Sequence, residues 1–228
     1  MTKKKILVVI PARSGSKGLK NKNILKLRGK PLIQYTIDQV RKSKMIDMIS
    51  ISTDSKIIKK LAETQNIWCD KLRPKKISGD KSKLFHAVKF VLDNIKFEPD
   101  LIVELHPTHV FRSSELIDQA IKIFLRKKNL DSLISVLEVK NTSHPDYVIK
   151  LKNKIIEYKY SPTSFNRHFL RKRYQSSGII LISTLKSFLK NKTMIGKKCY
   201  GFVVKNEIEK IDINNAIDFE FCKFLMKK

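Results

Sequence analysis

The chain alternates short apolar runs with stretches in which apolar residues recur every three or four positions. Ile6-Leu7-Val8-Val9-Ile10 is an unbroken apolar run and reads as a buried strand. Pro31 to Val40 has helical spacing, with Pro31 at a favoured first position. The alternation then repeats: Met48 to Thr53 reads as a strand, Ile57 to Glu63 and Leu84 to Asn94 as helices, Leu101 to Leu105 as a strand, Ser114 to Leu125 as a helix and Ser132 to Val136 as a strand. Between about residues 140 and 175 the periodicity weakens and Asn, Ser, Pro and basic residues crowd together. Only Ile155 to Tyr158 reads as a short strand there. The core pattern resumes with a strand at Gly178 to Ser183, a helix near Leu185 to Leu189, a strand at Tyr200 to Val204 and a closing amphipathic helix from Ala216 to Met226. Strands alternating with helices predict an α/β fold, a mainly parallel sheet with helices on both faces and ligands at the carboxyl ends of its strands. No internal repeat or low-complexity linker divides residues 1–228, which are therefore expected to form a single domain.

Composition narrows the setting. No apolar stretch approaches a transmembrane helix in length, and the basic N-terminus leads into a short run ending at Pro11 and Arg13 rather than at a small-residue cleavage site, so a cytoplasmic location is expected. Cys69, Cys199 and Cys222 are odd in number and widely spaced, which argues for a reducing compartment and against a zinc or disulfide framework. The formal charge of +27 attracts polyanions in general. The lysines, however, are spread through every segment and no helix-turn-helix, zinc-finger or RRM signature accompanies them, so no dedicated nucleic-acid binding is expected.

The first strand empties into Ala12-Arg13-Ser14-Gly15-Ser16-Lys17-Gly18-Leu19-Lys20-Asn21-Lys22-Asn23. Glycines that let backbone N–H groups turn outward, hydroxyl donors, and Arg13, Lys17 and Lys22 as charges make an anion cradle suited to a polyphosphate. The spacing of Gly15 and Gly18 and the Asn after Lys20 exclude a P-loop, and Gly15-Ser16-Lys17-Gly18 lacks the first glycine of a dinucleotide fingerprint. A nucleoside triphosphate on a basic loop, with acidic residues elsewhere for a metal, remains.

Ile10 to Gly18, followed by Lys22-Asn23-Ile24 and Gly29-Lys30-Pro31-Leu32-Ile33, resembles the start of the acylneuraminate cytidylyltransferases, the CMP-sialic acid synthetases. The likeness continues in order through Ser52-Thr53-Asp54-Ser55, Leu72-Arg73-Pro74 with Asp80, Leu105-His106-Pro107-Thr108 with Arg112, Ser177-Gly178 and Ile211-Asp212-Ile213-Asn214. It implies a nucleotide-diphospho-sugar-transferase-like fold that takes CTP and a 2-keto sugar acid, with Mg²⁺, and releases pyrophosphate.

The same resemblance implies that Ala12, Arg13, Ser14, Gly15, Lys17 and Lys22 hold the triphosphate, with Asn23 close to the nucleotide and Arg73 beside the cytosine. Arg73 also reads as an exposed residue before a proline turn, and Asp80 either orients this loop or is a turn aspartate. Asp212 is the implied metal ligand. Two residues on, where the family has a second aspartate, this chain has Asn214, a neutral oxygen ligand; Asn214 or Asn215 also suits a helix N-cap, and Asp218 a first-turn acid. On the acceptor side His106, Thr108 and Gly178 are implied. His106 replaces a glutamine and either donates to the sugar acid or is structural. Ser177 replaces an asparagine and Leu181 a tyrosine. The segment at about 140–175 is implied to be a dimerisation arm, with Arg167 reaching a second subunit and Lys140 a lesser candidate. Arg167 also reads as part of a solvated basic run. Arg13, Lys22 and Asp212 are the implied catalytic groups. The other readings are a same-fold nucleotidyltransferase with another keto-acid sugar or a phosphonate as acceptor, and a basic binding module that has lost catalysis.

Overall fold

The computed structural model describes residues 3–15, 18–139, 144–145, 148–158 and 171–227, with the side chains of Ile156 and Tyr158 left aside. Strand β1 (Ile6–Pro11) is buried at every position and shows why its sequence is apolar throughout. Ile6, Val8 and Ile10 pack into one core, and Leu7 and Val9 into another on the opposite face. A short hairpin follows, β2 (Lys26–Leu27) and β3 (Lys30–Pro31), turning through Arg28 and Gly29 at positive φ. Helix α1 (Leu32–Lys42) then leads to β4 (Met48–Ser52) and α2 (Lys56–Glu63), which Ser55 caps through its hydroxyl. Next come α3 (Leu84–Leu92), β5 (Leu101–Glu104), α4 (Ser114–Arg126) and β6 (Ser132–Glu138). A hairpin of β7 (Ile149–Lys152) and β8 (Ile155–Tyr158) stands apart from the main sheet. The chain closes with β9 (Tyr174–Thr184), α5 (Leu185–Asn191), β10 (Cys199–Val203) and α6 (Ala216–Leu225).

Six strands form the main sheet in the order β10-β6-β9-β5-β1-β4. The β10–β6, β5–β1 and β1–β4 pairs are parallel, while β9 runs antiparallel to both β5 and β6. The mainly parallel expectation holds with this one reversal. Apolar faces of α1, α2 and α4 cover one side of the sheet, through residues such as Ile37, Ile58 and Ile117, and α3 and α5 cover the other, through Val88, Val91 and Phe188. A third core joins the β2–β3 hairpin to the C-terminal segment through Leu27, Leu32, Ile213 and Phe219.

The expected arm at 140–175 needs one correction of boundary. Tyr174 and Gln175 belong to β9, where they pair with Glu138 and Leu137. Their exposed polar side chains hide a strand whose order comes from the ladder alone. Lys140 and Arg167 lie outside the described residues, as does Lys17. Among the described residues no helix is long and apolar enough to cross a membrane.

Candidate active site

A cleft of about 390 Å³ opens where the residues after β1 and β5 and those before α6 converge. Arg13, Gly15, Lys22, Asn23, Arg73, Asp80, His106, Thr108, Gly178, Asp212 and Asn214 all line it. Two expected members of the cradle do not. Ala12 is fully buried, and its N–H donates to the Ser52 carbonyl at 2.9 Å. Ser14 gives both its N–H and its hydroxyl to the Asp54 carboxylate, each at 2.7 Å, and faces a separate hollow beside α2. These contacts shape the loop, and its donors for a ligand are left to the residues that follow.

Arg13 Nη2 meets Asp80 Oδ1 at 2.5 Å, with the two side chains 33% and 40% exposed. A pair so open to water is worth at most about 1 kcal/mol, so an incoming polyanion can displace the carboxylate. Asn23 holds the loop by donating from Nδ2 to the Arg13 carbonyl at 2.9 Å. Lys22 reaches across to the C-terminal segment, where Nζ donates to the Ile213 carbonyl at 2.8 Å. Burial lowers the Lys22 pKa, and nearby Asp212 and Asp218 offset part of that effect. Gly18 lies against the same segment. A Cβ there would stand 2.2 Å from the Asn214 backbone oxygen, which explains glycine at this position.

Arg73 is 5% exposed rather than solvated. Its N–H donates to the Thr53 carbonyl at 2.7 Å, Nε to Ser78 Oγ at 3.1 Å and Nη1 to Ser52 Oγ at 3.5 Å. A planar fork is thus fixed at the cleft wall, in the form that reads a planar acceptor.

Asp212 is the centre of the opposite wall. Oδ2 accepts from Asn214 Nδ2 at 2.8 Å, while Oδ1 is buried without a hydrogen bond to any described residue. Burial alone would raise this carboxyl, but the His109 ring, hydrogen bonds from Thr108 and Asn214, and Lys22 together hold its pKa below the ordinary value. Asn215, not Asn214, caps α6: its side chain accepts from the Asp218 N–H at 3.0 Å, and Asp218 accepts from both Asn214 and Asn215 N–H groups. Asp218 is thereby committed to the cap. No group of three or more His, Cys, Asp and Glu side chains is arranged for a metal among the described residues. One carboxylate with an unused oxygen beside a neutral amide nevertheless fits Mg²⁺, which commonly takes one or two carboxylates and fills its remaining positions with water and substrate phosphate.

The third wall joins His106 and Gly178, expected from the sequence, to His109 and Glu104, which sequence reading passed over. His109, 3% exposed, places Nε2 3.8 Å from Asp212 Oδ1, and burial pushes its pKa down to about 4. His106 Nε2 lies 2.8 Å from Oε1 of Glu104, a carboxylate with no exposed surface and no partner for Oε2 among the described residues. Gly178 lies beside both rings: a Cβ there would stand at ordinary contact distance, 3.4 Å from His109 Nε2 and 3.7 Å from His106 Cδ2. Arg112 is fully buried and structural. It donates to the Ile179 carbonyl at 2.9 Å, Thr36 Oγ1 at 2.7 Å and the His106 carbonyl at 3.2 Å, which fixes the backbone that carries His106. The available signal for Glu104 was its spacing: residues two apart in extended chain share a face.

Comparison with known proteins agrees with this architecture. The cytidylyltransferase family model matches residues 7–215. An N-acylneuraminate cytidylyltransferase of Escherichia coli O18:K1:H7 (strain RS218) is 31% identical over 98% of this chain and 52% of its own length, so the chain spans about half the length of that curated relative. The CMP-N,N'-diacetyllegionaminic acid synthase of Legionella pneumophila subsp. pneumophila is also 31% identical, over 98% of this chain and 97% of the relative. Among solved structures, CMP:2-keto-3-deoxy-manno-octonic acid synthetase complexed with CTP superposes with a TM-score of 0.68 at 16% identity, covering 98% of each chain, a likeness of fold.

Proposed function

The chain belongs to the cytidylyltransferase family, and on that premise we propose that it moves CMP from CTP to the anomeric hydroxyl of a nonulosonic, sialic-acid-like 2-keto sugar acid, releasing pyrophosphate. The observation that carries this reading is the convergence on one cleft of a fixed arginine fork, Arg73, two loop cations, Arg13 and Lys22, and a carboxylate with an unused buried oxygen, Asp212. Arg73 reads acceptor atoms of the cytosine. Arg13 leaves Asp80 for the triphosphate, and Lys22 stands beside it. Negative charge builds on the non-bridging oxygens and the leaving pyrophosphate during transfer, so cations already held in place stabilise the transition state more than the ground state.

Asp212, with Asn214, would hold Mg²⁺, which when bound supplies further positive charge to the phosphates. His106, Thr108 and Gly178 form the acceptor side. Curated relatives named for N-acylneuraminate, N,N'-diacetyllegionaminic acid and pseudaminic acid support a nonulosonic acceptor without selecting one. A homodimer is part of the same proposal, by resemblance to the family.

The test is pyrophosphate release from CTP and Mg²⁺ with a panel of these acids. Release that requires both CTP and a sugar acid is expected; CTP-dependent release with a phosphonate and none with any sugar acid would overturn the choice of acceptor.

A further inference from the structure

We propose that Glu104 and His106 act as a carboxylate–imidazole dyad that takes the proton from the attacking hydroxyl of the acceptor, an assignment that rests on the transfer reading above. Glu104 is the last residue of β5 and His106 lies two positions on. Ile102, on the same face, packs with Leu7, Val9, Val88 and Phe188. An apolar side chain would continue that core, yet the chain places a fully buried carboxylate there. Its hydrogen bond to a described residue is the 2.8 Å contact with His106 Nε2. Burying a carboxylate costs stability that packing alone does not return, so this one calls for another explanation.

The pairing fixes the proton on His106. In the proposed dyad Glu104 is ionised and only accepts, so Nε2 carries the hydrogen and donates it to Oε1, which leaves the Nδ1 lone pair as the basic site. Nδ1 has no hydrogen bond to any described residue, and the ring lines the cleft at 27% side-chain exposure. The ring is also held in place. Arg112 and Thr36 bond its carbonyl at 3.2 and 3.4 Å. His109 bridges the remaining interval, with Gly178 against its ring and Asp212 3.8 Å from its Nε2. The imidazole therefore lines the same cleft as the groups that would surround the phosphates. The charged and titratable groups around it are Glu104 from its own strand end, His109 and Arg112 from the loop before α4, and, lining the same cleft, Arg13, Lys22, Arg73, Asp80, Lys83 and Asp212.

In the step itself, the anomeric oxygen forms its bond to the α-phosphorus and its proton passes to His106 Nδ1. The bridging bond from the α-phosphorus to the β-phosphate oxygen breaks, and its electron pair leaves on pyrophosphate. Glu104 faces the imidazolium that results, and the proton returns to solvent after the products depart. Glu104 is a positioning residue in this scheme and His106 the catalytic one. A carboxylate behind a histidine fixes its tautomer and ring orientation.

The test combines single-turnover rates across pH with imidazole nitrogen NMR of the wild type, His106→Gln and Glu104→Gln. In His106→Gln, the rate is expected to fall about 10²–10⁴-fold with the acid limb of the profile lost, while CTP affinity stays within about threefold. In Glu104→Gln, whose amide can donate as well as accept, the imidazole loses its fixed Nε2–H tautomer in the NMR spectrum and the single-turnover rate falls, with CTP affinity kept. Wild-type NMR should show the Nε2–H tautomer, a readout independent of turnover. Transfer retained by His106→Gln with an unchanged acid limb overturns the base assignment alone, as does an Nδ1–H tautomer. A wild type that transfers CMP to no sugar acid overturns the transfer reading and the base assignment with it.

Discussion

Lys22 donates from Nζ to the main-chain carbonyl of Ile213, 2.8 Å away and 191 positions later in the chain. The Ile213 N–H in turn donates to the Thr108 carbonyl at 3.2 Å, so one residue joins the loop after β1, the loop after β5 and the segment before α6. This junction is why groups scattered through the sequence share a cleft, and it makes the loop's position depend on the segment that carries Asp212.

Gly18→Ala tests that dependence. The new methyl would stand 2.2 Å from the Asn214 backbone oxygen, a distance the backbone can relieve only by moving. Overpacking of this kind costs about 1–3 kcal/mol. The expected result is a KM for CTP raised about tenfold and a raised Mg²⁺ requirement, measured by pyrophosphate release. Gly201→Ala, whose Cβ would meet Val136 at an ordinary 3.6 Å on β10, should stay within about twofold of the wild type.

Replacing Lys22 by Met keeps most of the side-chain volume and removes the charge. Loss of one preorganised donor to a developing anion costs about 10²–10³ in rate. A kcat reduced by that factor, with an intact circular dichroism spectrum, is expected. A folded variant with unchanged kcat would take Lys22 out of the mechanism.

Arg73→Lys keeps the charge and loses the fork. Ser78 and Ser52 hold the guanidinium through two nitrogens, a geometry an ammonium cannot reproduce. Hydrogen bonds to a charged group are worth about 1.5–3 kcal/mol, which corresponds to a loss of CTP affinity of about 10–100-fold. Calorimetric titration with CTP and UTP should also show weaker discrimination between the two bases.

The thiols should separate by burial. Cys69 and Cys222 are 2% and 0% exposed, and burial pushes both pKa values up to about 11. Cys199 is partly exposed at the start of β10. A thiol-specific disulfide reagent at pH 8 should label Cys199 promptly and the other two only after unfolding, as peptide mass mapping would show.

Much of the fold was legible because local periodicity carries it. The all-apolar run of β1 divides its residues between two cores, and the helical spacings of α1, α2 and α4 match the faces they bury. Strand direction leaves no such mark, so the antiparallel course of β9 was not readable, nor was its extension through exposed Tyr174 and Gln175. Candidate residues were legible where residue type alone singles them out, as for Lys22 and Asp212, which line one cleft. Site chemistry was obscured where a distant partner decides it. Ser14 has the donors of a phosphate ligand, but Asp54 uses them. His109 looks like a loop residue until the Thr108 to Ile213 contact brings Asp212 beside it.

The central claim, that this cleft joins CMP to a sugar acid, is tested most directly by following the phosphorus signals of CTP incubated with Mg²⁺, the protein and a nonulosonic acid. The account predicts a new phosphodiester resonance of a CMP-sugar rising one for one with pyrophosphate, and its absence when the acid is omitted. CTP left intact with every nonulosonic acid tried, or converted to CMP and pyrophosphate with no phosphodiester formed, would contradict it.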